Sequence, residues 1–216
     1  MQIYLIPVTP FQQNCSLIVC KTTRDAAVVD PGGDIDRILE TIKQADAQVT
    51  QILLTHGHLD HAAGAPELAA ALGDVPIIGP HIDDQFWLDS LDEQSKRFGF
   101  GHAHAFHPTR WLDETDTVQI GNHQINVIHC PGHTPGHVVF YSATQKIAWV
   151  GDVIFQNSIG RTDFPRGNHD DLISSIQNKL FPLGDDVQFV PGHGATSTFG
   201  TERTHNPHLK ITKKYS

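Results

Sequence analysis

Cysteine and long hydrophobic runs are scarce in this chain of 216 residues. Its three cysteines, Cys15, Cys20 and Cys130, are an odd number without framework spacing, which excludes a disulfide scaffold and favours the reducing cytosol. No apolar run is long enough to span a bilayer, and residues 1–7 lack the basic segment of a signal peptide. We therefore expect a cytoplasmic protein without a membrane segment.

Basic residues are also few, because 15 Lys and Arg stand against 24 Asp and Glu and give a formal net charge of -9. Nucleic-acid binding requires a basic face, so this charge argues against a nucleic-acid partner. The one basic cluster, Lys210 with Lys213 and Lys214, is interpreted as a solvated tail. The length predicts one domain over residues 1–216, burying roughly 70% of the surface of the unfolded chain.

Apolar runs and turn residues alternate along the chain and predict strands and helices in turn. Asp34 is a candidate N-cap for the first helix. Residues 86–91 have helical character, whereas 99–107 read as a long surface loop. The pattern indicates a sheet with helices, twice, in one α/β domain. Predicted strands are 3–8, 15–20, 26–29, 51–54, 75–78, 118–120, 125–129, 138–141, 147–150 and 187–190, and predicted helices are 34–45, 66–72 and 170–180.

Four potential metal ligands follow the predicted strand 51–54 within six positions: His56, His58, Asp60 and His61. The end of a buried strand is where α/β proteins usually build their sites. The H-x-H-x-D-H spacing differs from the HExxH pattern, which zinc proteases carry on a helix. Because Gly57 breaks helical geometry, we expect a loop to present these ligands in different directions. Their density indicates two metal ions.

Three later residues occupy similar places in the second half of the chain. His133 and His193 lie in Gly/Pro-rich turns after predicted strands, and Asp152 directly follows the apolar segment 147–150. A carboxylate there would be poorly solvated, so it needs a hydrogen-bond partner, a counter-ion or a metal. Together these residues and the first four indicate a common metal centre.

The four motifs THGHLDH, PGHTPGH, WVGD and PGHG resemble the metallo-β-lactamase superfamily, specifically its glyoxalase II (hydroxyacylglutathione hydrolase) branch, over residues 1 to about 206. The resemblance implies a four-layer αββα sandwich. It also implies one metal held by His56, His58 and His133, another held by Asp60, His61 and His193, and a bridging Asp152. The 23 residues after His193 are too few for the C-terminal helical glutathione-binding domain, so a shortened, single-domain bacterial subgroup is expected.

Five imidazoles and two carboxylates suit zinc, iron or manganese, so two divalent ions per chain are expected without a choice among them. Two ions about 3.5–4 Å apart can share and activate a water, which would attack a small-molecule thioester such as S-lactoylglutathione. Asp60 and Asp152 are the predicted catalytic residues, with Asp60 interpreted as a ligand rather than a base. The oligomeric state stays open.

Arg161 and Arg166 follow the bridging position and are predicted to bind a substrate carboxylate. A structural Arg161–Asp163 pair is the competing interpretation. The string of residues 160–164, Gly-Arg-Thr-Asp-Phe, also resembles mononuclear-iron persulfide dioxygenases, which gives a second candidate activity. A non-catalytic metal-binding protein of the same fold is the third, although a purely structural site would close all its positions with ligands.

Several other candidate ligands receive less weight. His137 is expected to pack behind the ligands rather than bind metal, and Cys130 is disfavoured because the set of seven is already complete. The remaining three are interpreted as solvated loop residues because no carboxylate lies among them: His102, His104 and His107.

Overall fold

The computed structural model describes one part of the chain, residues 1–101 and 103–209. The strands of this part form two mixed β-sheets and a short hairpin. His102 and the basic tail residues Lys210, Lys213 and Lys214 lie outside this part. The strands are β1 (Gln2–Val8), β2 (Gln13–Val19), β3 (Asp25–Val29), β4 (Gln48–Leu53), β5 (Ile77–Ile78), β6 (Thr117–Ile120), β7 (His123–His129), β8 (Val138–Ser142), β9 (Ile147–Gly151), β10 (Ile154–Phe155), β11 (Ser158–Ile159), β12 (Gln188–Pro191) and β13 (Ser197–Thr198).

Helices connect the strands and cover the outer faces of the sheets. Single 3₁₀ turns at Ile82–Asp84 and Phe181–Leu183 and a π-helical turn at Ser175–Leu180 adjoin them. Among the described residues, none of these helices has the length and hydrophobicity needed to cross a membrane. The α-helices are α1 (Ile35–Gln44), α2 (Leu59–Ala62), α3 (Ala65–Ala71), α4 (Gln85–Asp89), α5 (Leu91–Phe98), α6 (His169–Ser174) and α7 (Phe199–His205).

Each sheet combines antiparallel and parallel pairs. The first has the order β1-β2-β3-β4-β5, in which β3, β4 and β5 run parallel. The second has the order β13-β12-β9-β8-β7-β6, in which β12 and β9 run parallel. Parallel neighbours end at the same edge, so the residues that follow β3 and β4, or β9 and β12, emerge side by side.

The central strands are apolar on both faces because both faces of each sheet are covered there. In β2, Leu17 and Val19 pack toward the helices while Ile18 packs between the sheets. In β8, Val139 packs toward the outer helices while Phe140 fills the space between the sheets. Alternate side chains of a strand point to opposite faces, so a doubly covered strand reads as a continuous apolar run. Three cores between four layers confirm the predicted αββα sandwich.

The structure departs from the sequence prediction in local detail. The predicted ligand loop ends at His58, and helix α2 begins at Leu59. Asp60 and His61 therefore lie on a helix and not on a loop, and Gly57 keeps only the residues before Leu59 out of helical geometry. Asp34 does precede α1, but its backbone is left-handed and its carboxylate accepts from the Thr9 N–H (2.7 Å), so it makes no capping bond. Short elements without a clear period were not predicted: β10, β11, β13 and α7.

Candidate metal centre

The seven predicted ligands all follow strand ends at one edge of the sandwich. His56 and His58 follow β4, and Asp60 and His61 lie on the short helix α2. The remaining three come from the second sheet: His133 after β7, Asp152 after β9 and His193 after β12. The packing of the two sheets, with these strand ends at one shared edge, therefore brings together residues that are as much as 137 positions apart.

The first group contains His56, His58 and His133, whose candidate ligand atoms lie within 4.8 Å of one another. The Nδ1 atom of His58 is 3.1 Å from Nε2 of His56 and 3.0 Å from Nε2 of His133. Burial lowers the pKa of all three imidazoles, so they are neutral near pH 7. Neutral imidazole is the form that binds metal.

The second group contains Asp60, His61 and His193. The Oδ2 atom of Asp60 lies 3.1 Å from Nε2 of His193 and 3.9 Å from Nε2 of His61. Two of these residues come from α2 and one from the turn after β12. The two groups therefore each combine ligands from both halves of the chain.

Asp152 faces both groups. Its Oδ1 lies 3.4 Å from Nε2 of His61, and its Oδ2 lies 3.6 Å from Nε2 of His133 and 3.8 Å from Nε2 of His193. Burial opposes ionisation of this carboxyl, but His61, His133 and His193 together outweigh burial and hold its pKa well below the usual range. One carboxylate between two sets of ligands is the arrangement that a bridging ligand requires.

The polar atoms at the centre fit bound cations. Nε2 of His61 and Oδ1 of Asp152 are buried without a hydrogen-bond partner. A buried polar atom of this kind is unfavourable unless something else satisfies it. A Cβ atom added at Gly192 would overlap both side chains, so glycine is needed for this close approach. The donor set of imidazole nitrogens and carboxylate oxygens suits zinc, iron or manganese.

Asp30, which the sequence indicated only as part of a turn, orients the second group. It is buried, and its Oδ2 accepts from Nδ1 of His61 (3.0 Å) and from the Thr55 hydroxyl (2.6 Å). Its Oδ1 accepts from the Thr55 N–H (2.7 Å). Holding one ring nitrogen of a histidine fixes the direction of the other. Asp30 directly follows a buried strand, as Asp152 does, and that signal was available in the sequence.

A second unpredicted group comes from the segment before and within α5. Asp84 is fully buried and accepts hydrogen bonds from residues beside the ligands of the first group. Gln94 accepts from the N–H of Leu59 at the start of α2 (3.0 Å) and donates to the Trp87 carbonyl (2.8 Å). The sequence of this segment has weak periodicity and gave no signal for either role.

An open cavity of about 550 Å³ lies against the candidate ligands. His58, Asp60, His133, Asp152 and His193 line it. Its other walls are largely apolar and include Phe11, Leu59, Trp87, Phe98, Phe155, Ile159 and Phe164. A mainly apolar cavity with a few converging polar groups is the usual form of a small-molecule site.

The two arginines predicted to contact substrate differ in position. Arg161 lines the cavity, but its guanidinium donates to both carboxylate oxygens of Asp163 (2.9 and 2.8 Å) and stacks over Phe164. Arg161 and Asp163 thus form the ion pair of the competing interpretation, although both side chains are largely exposed. Arg166 stacks over Phe86, which is not among the residues that line the cavity. Carboxylate binding by either arginine stays a prediction.

The other candidate ligands lie outside both groups. His104 and His107 are exposed, as predicted, and pair with Asp92 (3.1 Å) and Asp89 (2.9 Å) from the preceding helices. His137 is buried behind the centre, where its Nε2 accepts from the backbone N–H of Asp152 (3.1 Å), which confirms the expected supporting position. Cys130 is buried in the core of the second sheet.

Comparisons with known proteins agree with this geometry. The family model of the metallo-beta-lactamase superfamily matches residues 8–193. A curated relative from Haemophilus influenzae, hydroxyacylglutathione hydrolase GloC, is 47% identical over 97% of this chain and 98% of its own. Two solved structures cover this chain almost completely: the BLEG-1 B3 metallo-beta-lactamase (TM-score 0.89, 33% identity, 96% of this chain and 99% of its own) and TTHA1623 in a di-iron-bound form (TM-score 0.86, 31% identity, 95% and 100%).

Proposed function

The chain belongs to the metallo-beta-lactamase superfamily, and on this premise we propose that it is a metal-dependent hydrolase of small-molecule thioesters of the S-lactoylglutathione type. The family to which the four sequence motifs pointed is thereby confirmed. The observation that carries the proposal is Asp152, whose carboxylate lies between the two groups of ligands beside an apolar cavity. The 47% identity to a hydroxyacylglutathione hydrolase supports the choice of thioester.

We assign one divalent ion to His56, His58 and His133, a second to Asp60, His61 and His193, and a bridging position to Asp152. Zinc is the first candidate, with iron or manganese as alternatives, because the donor set suits all three. The di-iron form of the similar TTHA1623 supports iron. Bound there, two such ions would supply a water of lowered pKa and a positive charge that polarises a carbonyl oxygen.

The residues of the chain hold and shield this centre. The aromatic side chains of Trp87 and Phe164 pack edge-on against His58 and keep bulk water from that side of the ligands. Asp60 acts as a ligand rather than a base, because its oxygen is directed at His193. Cys130 cannot serve as a nucleophile, since it is buried away from the cavity and burial raises the pKa of its thiol. The activation of water that bound metals would supply takes the place of a thiol nucleophile in this proposal.

Thiol release from S-lactoylglutathione tests the proposal. The protein is purified with its native metals, its metal content is determined, and thiol is followed with Ellman's reagent. We expect turnover by the wild type and its loss in His133→Ala, while His104→Ala, which changes an exposed histidine outside both groups, keeps wild-type activity. Absence of turnover at two metals per chain would refute the proposal.

The same purified protein distinguishes the hydrolase from the second candidate, a persulfide dioxygenase. One iron per chain together with oxygen consumption on glutathione persulfide would favour the mononuclear dioxygenase. Two metals per chain without either reaction would favour a non-catalytic metal-binding protein. The complete second group of Asp60, His61 and His193 favours a dinuclear centre over the mononuclear dioxygenase.

A further inference from the structure

The two loops that supply the first ligand group are joined by a single buried carboxylate, that of Asp84. Its Oδ2 accepts from the N–H of Gly57 (2.9 Å), the residue between His56 and His58. The same oxygen accepts from the hydroxyl of Thr134 (2.8 Å), which follows His133, and Oδ1 accepts from the N–H of Gly136 (2.6 Å). Asp84 thus touches no ligand but fixes the backbone beside all three.

The second ligand group has an equivalent connection through Asn14 in β2. The side-chain amide of Asn14 donates to the carbonyl of Pro191 (3.1 Å) and to that of Gly194 (2.9 Å), on either side of His193. Its backbone N–H donates to the Gly192 carbonyl (2.7 Å). Asn14 therefore attaches the turn that carries His193 to the first sheet through three hydrogen bonds.

The connections do not overlap. The side chain of Asp84 bonds only to the loops after β4 and β7, and the side chain of Asn14 bonds only to the turn after β12. Metal sites depend on donor positions within a few tenths of an ångström, and groups behind the ligands commonly change metal affinity by about 10- to 100-fold. A change in either connection should move the donors of one group and leave those of the other.

We propose that Asp84 and Asn14 are positioning residues with separate roles, Asp84 setting the geometry of the His56–His58–His133 site and Asn14 that of the Asp60–His61–His193 site. The inference rests on the proposed dinuclear centre. A buried residue that only stabilised the fold would weaken both sites together, because global unfolding removes both. Selective weakening of one site therefore separates positioning from general stability.

Two variants test the proposal. Asp84→Asn keeps the shape of the side chain but directs an N–H₂ group at a backbone N–H. Asn14→Ala removes both amide bonds to the turn of His193. Asp83→Asn, an exposed neighbour of Asp84, controls for the loss of one negative charge. Circular dichroism and urea unfolding establish that each variant retains the wild-type fold.

Zinc is titrated into the full-length protein while long-range ¹H–¹⁵N spectra report which imidazoles bind it. In Asp84→Asn we expect zinc affinity at the first group to fall about 10- to 100-fold while His61 and His193 stay bound. In Asn14→Ala we expect the reverse, and in Asp83→Asn neither change. Equal loss at both groups in both variants would overturn the inference.

Two further readouts separate this inference from the proposed function. If the wild type binds fewer than two zinc ions, the dinuclear centre fails. In that case amide exchange in the metal-free protein still tests Asp84. The Gly57 and Gly136 amide protons should exchange faster in Asp84→Asn than in the wild type, and unchanged exchange would overturn the role of Asp84 independently of any metal.

Discussion

Replacing Asp30 tests whether the buried carboxylate beneath the centre stabilises both the fold and the second ligand group. It accepts three hydrogen bonds, from the Thr55 N–H, the Thr55 hydroxyl and Nδ1 of His61. Asp30 also has a positive φ of 52°, a conformation that Asn tolerates and Ala disfavours. Asp30→Asn is therefore the cleaner variant.

The expected loss of folding stability follows from the number of hydrogen-bond donors left without an acceptor. In either orientation of the asparagine amide, at least one buried donor faces an N–H₂ group, which costs about 1–3 kcal/mol. In Asp30→Ala the Thr55 hydroxyl can turn to Nδ1 of His56 (3.0 Å), but two buried donors stay unpaired, which costs about 2–6 kcal/mol. Because a typical free energy of unfolding is about 5–15 kcal/mol, Asp30→Ala should remove a large part of the stability of the folded state.

Urea unfolding of the chelator-treated protein, followed by circular dichroism, measures this loss. Asp36→Asn, an exposed carboxylate in the first turn of α1, is the matched control and should change stability by less than about 0.5 kcal/mol. Zinc affinity of the second group should also fall about 10- to 100-fold in Asp30→Asn, because His61 loses its orientation. Equal stabilities of Asp30→Asn and Asp36→Asn would refute the reasoning.

Three further outcomes are expected. Asp152→Ala should weaken both metal positions and Asp60→Ala mainly one, because the Asp152 carboxylate faces both groups; equal metal loss after gel filtration would contradict this division. The thiols of Cys15 and Cys130 should resist Ellman's reagent until urea is added, because both are buried and burial raises the pKa of both. Rapid reaction of these thiols in the folded protein would contradict this expectation. Burial raises the pKa of Asp84 from 3.8 to about 6, so the folded state holds this proton more tightly. The associated stability of about 3 kcal/mol is present below pH 4 and lost as pH rises through 6, and urea unfolding of metal-free Asp84→Asn should lack that component.

The ligand residues were predictable because each has a local sequence signal. His56, His133, Asp152 and His193 follow apolar strands and stand in turns rich in Gly or Pro, and a polar side chain at such a position needs a partner. The resemblance to a known family then divided them into two groups. The sequence also indicated the Arg161–Asp163 pair, since the two residues are close along the chain.

The connections behind the ligands were not predictable in the same way. Asp84 lies in a segment of weak periodicity, and Asn14 occupies an ordinary position in a strand. Each becomes important only through partners between 27 and 180 positions away. Asp30 is intermediate, because its place after a buried strand carried a signal that the turn residues around it obscured.

By itself, the sequence determined the strand pattern and the identity of the candidate ligands, since apolar periodicity and turn residues act over a few neighbouring positions. The four-layer class came from the resemblance to a known family. The resemblance implied the two ligand groups and the bridging Asp152, but only the tertiary structure gave the distances among these residues and the hydrogen bonds of Asp84 and Asn14 behind them. The physical reason is that a metal site depends on distances across two packed sheets. Those distances are set by strand pairing and by buried hydrogen bonds between distant segments, and a local pattern does not contain them.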